Sequence, residues 1–230
     1  MRPSGFARVF ILGALFLAGA TAVPDLGASP ERMAIAAPSP ERVAIAAPSP
    51  APADRLYDEL RLDGILDREA FAAAHARMAR EGGDAPALAI ADMRKPSTEQ
   101  RFVIVDLEHR RVVLQTWVAH GAGSGGLMAD RFSNRNGSHQ TSLGLYRVGE
   151  RIRSPKHGAA LLLEGLDPGL NDLARVREVI IHGADYVSEA FIASTGRLGR
   201  SWGCPAVPRD QMSSVVEALA DGGYLYVHGA

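Results

Sequence analysis

Only one cysteine occurs in the 230 residues, and its neighbours are those a reacting thiol needs. Cys204 stands in the run Arg200-Ser201-Trp202-Gly203-Cys204-Pro205, downstream of His182-Gly183. A thiol attacks a carbonyl only after losing its proton, and an imidazole is well matched to take that proton near neutral pH. Cys204 is therefore the candidate nucleophile of an acyl transfer and His182 the candidate base. Arg197 and Arg200 lie close before the cysteine and are candidates for favouring its thiolate, as is a helix expected to open at Pro208. Pro205 has no N–H, so local oxyanion donors must come from before it, which singles out the Gly203 and Cys204 amides. Gly196, Gly199 and Gly203 let such a loop approach a ligand closely.

Two plainer readings compete. A lone cysteine is often core filler. His120, His139, His182 and Cys204 together have the donor types of a zinc site. No short-spaced ligand pair occurs among them, so neither metal nor cofactor is expected. Gly121–Gly126 lacks the lysine and the helix signal of a phosphate-cradling loop.

The reactive residues need a frame. Val179–Ile181 is an apolar strand candidate, which puts His182 at its rim. Phe102–Leu107 and Val112–Ala119 are β-rich runs on either side of a short charged turn and read as a hairpin. Gly144–Val148, Leu161–Leu163 and Tyr224–Val227 are further strand candidates. Ser188 is placed to cap a helix over Glu189–Thr195 with Gly196 as its stop. Pro208 is placed to open another, with Met212, Val215, Val216 and Leu219 on one face and Gly222 at its close. Upstream, Leu56 and Leu60 suit a short helix, and Asp67 caps a second that runs to about Arg80 with Phe71, Ala74 and Met78 as its stripe. His75 lies off that stripe, as a surface histidine would. The expected fold is mainly β with flanking helices, preceded by a short helical segment.

Four segments follow: 1–22, 23–53, 54–85 and 86–230. The first has Arg2 and Arg8, then the apolar run Val9–Ala18, then Ala18, Ala20 and Ala22. That is the order of a secretory signal peptide, and the apolar stretch is short for a membrane span. Export to the periplasm, cell envelope or medium is expected, with no stable membrane anchor after cleavage. Residues 23–53 are rich in Pro and Ala and repeat a decapeptide, SPERMAIAAP then SPERVAIAAP, which reads as a disordered tether. Lys+Arg number 25 against 26 Asp+Glu, a balance that argues against a nucleic-acid partner. In an oxidising compartment a lone cysteine forms no internal disulfide, which makes a reactive thiol a serious reading.

The stretch IHGADYVSEAFIASTGRLGRSWGCPAVP, Ile181–Pro208, resembles the active-site region of the murein L,D-transpeptidase catalytic domain family. RFSNRNGSHQTSLGLY, Arg131–Tyr146, and HGAGSGG, His120–Gly126, are similar to that family too. The resemblance covers most of 86–227. It implies a β-sandwich catalytic domain and a thioester formed on Cys204 from a peptidoglycan stem peptide. The acyl group would then pass to an amine of another stem. Gly183 would present a carbonyl to His182, and Ser201 would orient the loop. Arg200, Arg197, His139, Trp202 and Tyr186 are candidates for contacting substrate. The form here is Ser-Trp-Gly-Cys-Pro. Trp202 stands where many members have His, and Ala206 where many have Arg, so Arg200 or Arg197 is asked to serve a substrate carboxylate. A murein peptide hydrolase using the same pair and a non-catalytic murein-binding protein are the alternatives.

Overall fold

The computed structural model describes residues 52–83 and 85–229. The leader and most of the Pro/Ala-rich segment lie outside the described residues. Helix α1 (Pro52–Glu59) begins two residues before the expected boundary at Asp54. Proline is tolerated there because the first turn leaves its N–H positions unpaired. Helix α2 (Arg68–Ala79) starts at Asp67, whose side chain accepts the Ala70 N–H.

Among the described residues eight strands form one sheet: β1 (Ala87–Asp92), β2 (Phe102–Asp106), β3 (Arg111–Thr116), β4 (Gly144–Ser154), β5 (Gly158–Gly165), β6 (Ile180–Ala184), β7 (Ala206–Pro208) and β8 (Tyr224–His228). Their order is β3-β2-β1-β8-β4-β5-β6-β7. The fold is mainly β with flanking helices, as expected. Beyond β3 the chain turns back, and Ala119 pairs with Ala206 on β7, so the two edges of the sheet meet. Closing an edge this way leaves fewer unpaired backbone groups.

Alternation explains the layers. On β1, Ala87, Ala89 and Ala91 face an inner core shared with Phe102, Leu161, Ile181, Val207 and Leu225. Leu88 and Ile90 face outward and are covered by Tyr57, Leu62, Phe71 and Met78 of the helical segment. Both faces of β1 and most of β2 are thus buried, and period 2 gives way to continuous apolar runs. Burying each large side chain in such a layer contributes about 2 kcal/mol. β1 was hidden in the sequence because its inward residues are three alanines.

Helix α4 (Met212–Leu219) turns Met212, Val215 and Leu219 into the inner core. Pro208 does not open this helix. It ends β7 and precedes a 3₁₀ turn, Arg209–Gln211. Helix α3 (Glu189–Thr195) has the expected ends: Ser188 Oγ accepts the Phe191 N–H at 3.3 Å, and Gly196 closes it at φ 75°.

Strands β6 and β7 are parallel neighbours, with His182 opposite Ala206. Parallel neighbours need a crossover, and residues 185–205 supply it. That crossover contains α3 and returns through the glycine-rich loop to Cys204. The register therefore brings the only cysteine beside the histidine.

Candidate active site

His182 is not at a rim. Strand β6 continues through it to Ala184, and the imidazole is buried at 2% exposure. Its Nδ1 lies 3.2 Å from the Gly183 carbonyl. A carbonyl only accepts, so Nδ1 carries the proton and Nε2 keeps its lone pair. Burial pushes the imidazole pKa down to about 4; the Gly183 carbonyl opposes this, while His157, Lys156 and Arg209 add to it. His182 is therefore uncharged around neutral pH.

Cys204 is half-buried and unpaired. Its Sγ sits 3.9 Å from the Glu178 carbonyl. Burial pushes the thiol pKa up. The Ile180 and Cys204 amides and the Arg177 guanidinium pull it down, and Glu178 pushes it up. Sulfur and imidazole line one cavity of about 710 Å³. The backbone joins them too, because the His182 N–H donates to the Pro205 carbonyl at 3.4 Å.

Ser201 organises the loop. Its Oγ donates to the Cys204 carbonyl at 2.6 Å and accepts the Gly203 N–H at 3.1 Å. This changes the oxyanion expectation, since the Gly203 amide is already committed to Ser201. The amides that pull the thiol pKa down are those of Ile180 and Cys204. Gly203 adopts φ 125°, and a Cβ there would meet the Gln140 carbonyl at 2.9 Å and Arg177 Nη2 at 3.1 Å. Only glycine fits this corner.

The arginines redistribute. Arg197 donates to the Leu198 carbonyl and does not line the cavity. Arg200 lines it but is tied to the Gly125 carbonyl at 2.8 Å. Arg177 lines the cavity with Cys204 and pulls its thiol pKa down; it donates to Gln140 O at 2.6 Å, to Ser133 O at 2.9 Å and to Ser142 Oγ. Nothing in the sequence marked it, because those partners lie 35 to 44 residues away.

Aromatic residues shape the mouth. Trp202 is 73% exposed, stacked on His139 at 5.0 Å with Lys156 Nζ 5.2 Å from its ring centre. His139 reaches the cavity only through Trp202, whereas Tyr186 lines it directly. His157, at the β4–β5 turn, also escaped sequence reading; its ring lies 3.8 Å from that of His182. His120 is elsewhere, buried beside Arg101. Among the described residues no three His, Cys, Asp or Glu side chains converge.

Comparison with known families decides the assignment. A family model described as the L,D-transpeptidase catalytic domain matches residues 64–228. The chain belongs to that family. The match starts within the helical segment, so the L,D-transpeptidase domain takes in α2 as well as the sheet. Similar solved structures include an L,D-transpeptidase from Mycobacterium smegmatis, at 14% identity over 63% of this chain and 59% of that one, TM-score 0.39. The helical cell shape determining protein Pgp2 from Campylobacter jejuni matches at 17% identity over 63% and 47%, TM-score 0.41. An L,D-transpeptidase from Mycobacterium tuberculosis matches at 13% identity over 63% and 58%, TM-score 0.41. This chain thus spans less than two thirds of each of those chains. Comparison with curated proteins gives no match. In this L,D-transpeptidase domain Ala206 is fully buried on β7, so no side chain from that position reaches the cavity mouth.

Proposed function

We propose that the protein is a cysteine acyltransferase acting on peptidoglycan stem peptides. The observation that carries this reading is the shared cavity: Cys204 and a buried, uncharged His182 line the same space, with the His182 tautomer set by Gly183. Family membership supplies the substrate class.

The steps follow from the side chains. His182 Nε2 takes the Cys204 proton as the sulfur attacks the donor carbonyl. The Cys204 amide stabilises the oxyanion. As the tetrahedral intermediate collapses, His182 returns its proton to the leaving amine, a terminal D-alanine, and a thioester remains. An amine of a second stem then attacks the thioester and loses a proton to His182, and the thiol reforms. Water in the amine's place gives hydrolysis by the same apparatus. Arg177 supports the sulfur as negative charge develops on it.

Intact-mass analysis of the protein with tetrapeptide stems tests the first half. The expected result is an adduct on Cys204 with loss of alanine. Correctly folded protein that forms no adduct would overturn the covalent reading. Muropeptide analysis then separates crosslinked from hydrolysed products. Export is part of the same proposal, supported by the charged, apolar and small-residue order of Met1–Ala22. Fractionation of cells that express the full chain tests it, and retention in the cytoplasm would sink it.

A further inference from the structure

The chain is nearly neutral, with 25 Lys+Arg against 26 Asp+Glu, but the charges around the cavity are not balanced. Among the described residues that line it, Arg153, Lys156, Arg175, Arg177 and Arg200 are cationic, and only Glu178 is anionic. Two of the five have structural work: Arg177 holds the Gln140 and Ser133 carbonyls, and Arg200 holds that of Gly125. The other three stand differently. Lys156 rests over the exposed Trp202 ring. Arg153 and Arg175 are exposed, and their side chains take part in no hydrogen bond or ion pair among the described residues. Arg153 and Lys156 come from the β4–β5 hairpin and Arg175 from the segment before β6. Two separate parts of the chain therefore bring unpaired cations to one opening.

We propose that Arg153, Lys156 and Arg175 form a carboxylate subsite at the rim of the cavity, which selects acyl donors with a free carboxylate over the corresponding carboxamides. The proposal rests on Cys204 being the nucleophile at the floor of that cavity. Two physical arguments support it. A concave wall of one sign concentrates field in the space it encloses and raises the local concentration of the opposite charge. A guanidinium offers paired donors that match a carboxylate, whereas a carboxamide brings no charge and presents donors of its own to them. The subsite also relocates recognition. Ala206 is buried and Arg197 points elsewhere, so neither can serve a donor carboxylate.

The test reads the electrostatics through Cys204 itself. Iodoacetate and iodoacetamide form the same kind of thioether with the thiol and release iodide, and they differ mainly in charge. Their rate constants are compared for wild type and for Arg153→Gln/Arg175→Gln, with Arg147→Gln as a control on an exposed arginine outside the cavity. The double variant is expected to lower the iodoacetate-to-iodoacetamide ratio about fivefold at low salt. Its iodoacetamide constant should stay within about twofold of wild type, which also reports an intact site, and salt should shrink the difference. The second arm measures KM for a stem-peptide donor as free acid and as amide. Wild type should prefer the acid and the double variant should not.

An iodoacetate ratio equal in wild type and double variant overturns the subsite, even if stem peptides react. A ratio that falls while no stem peptide acylates Cys204 supports the subsite and removes the murein reading instead. A ratio that falls equally in Arg147→Gln assigns the effect to net charge and also overturns the subsite.

Discussion

Arg101 donates to Nδ1 of His120 at 2.8 Å, deep behind the loop that carries Cys204. Arginine has no acceptor, so His120 Nδ1 must be unprotonated and its proton must sit on Nε2. Arg101 is 1% exposed and faces no paired carboxylate; its other partners are the Val118 carbonyl at 3.0 Å and the Lys95 carbonyl at 2.6 Å. His120 in turn accepts the Ser201 N–H on its own carbonyl at 3.1 Å. The pair thus links the sheet to the loop that carries Cys204. Replacing Arg101 by Met leaves two buried acceptors and the part-buried Lys95 carbonyl without this donor, which should cost about 3 kcal/mol in urea denaturation. An unchanged midpoint would show that the interior repairs itself.

Acid should destabilise the fold through two histidines. Burial holds both His120 and His182 down to about 4, against 6.5 for an unperturbed imidazole. The unfolded chain therefore binds protons at a pH where the native one does not. Stability is fully present above about pH 6.5 and falls as pH drops toward 4, by up to about 3 kcal/mol for each histidine. Denaturant titrations at pH 7.5, 5.5 and 4.5 measure this slope. His182→Asn should flatten it, and an unflattened slope would mean His182 is not neutral in the native state.

The resting pair is thiol and neutral imidazole, because burial raises Cys204 above its ordinary 9.0 while it lowers His182. Iodoacetamide alkylation of Cys204 should therefore climb steadily above pH 8. A thiolate–imidazolium pair would instead give a reactive plateau between about pH 5 and 7. Such a plateau would contradict the assignment of charges.

Arg177→Gln removes the guanidinium that favours the thiolate. The thiol pKa should rise further, and alkylation at pH 7.5 should fall by about threefold to tenfold. Arg177→Lys keeps the charge but loses the fork that holds Gln140 and Ser133, so recovery should be partial. Equal rates in all three proteins would remove Arg177 from the site's electrostatics.

Ser201→Ala takes away the hydroxyl that joins Gly203 and Cys204. We expect a loss of about 1–2 kcal/mol in stability. The yield of the stem-peptide adduct should fall more than iodoacetamide reactivity, because oxyanion geometry depends on the loop and simple alkylation does not. A parallel fall in both would mean that Ser201 only supports the fold.

How much was legible depended on the range of the interactions. Ser188 and Gly196 bound α3 through contacts three or four residues apart, and Asp67 caps α2 in the same way. Their signals are local, so the chain states them directly. β1 failed that test because Ala87, Ala89 and Ala91 look like neither strand nor core until Phe102 and Leu225 fill the space beside them. Pro208 misled because its backbone suits a strand end as well as a first helical turn, and pairing with Ala184 on β6 chose the strand.

The sequence alone determined the chemistry on offer: one thiol, the His182-Gly183 pair upstream of it, and a loop where proline limits the donors. Those are properties of residue types and of neighbours in the chain. Only the tertiary structure decided the state and surroundings of that chemistry. It buried His182 and so made it neutral, committed the Gly203 amide to Ser201, and put Arg177, not Arg197, on the wall of the cavity that Cys204 lines. It also gathered Arg153, Lys156 and Arg175 at one opening. Burial, cross-strand register and the meeting of distant loops govern each of these, and none of them is a property of neighbouring residues.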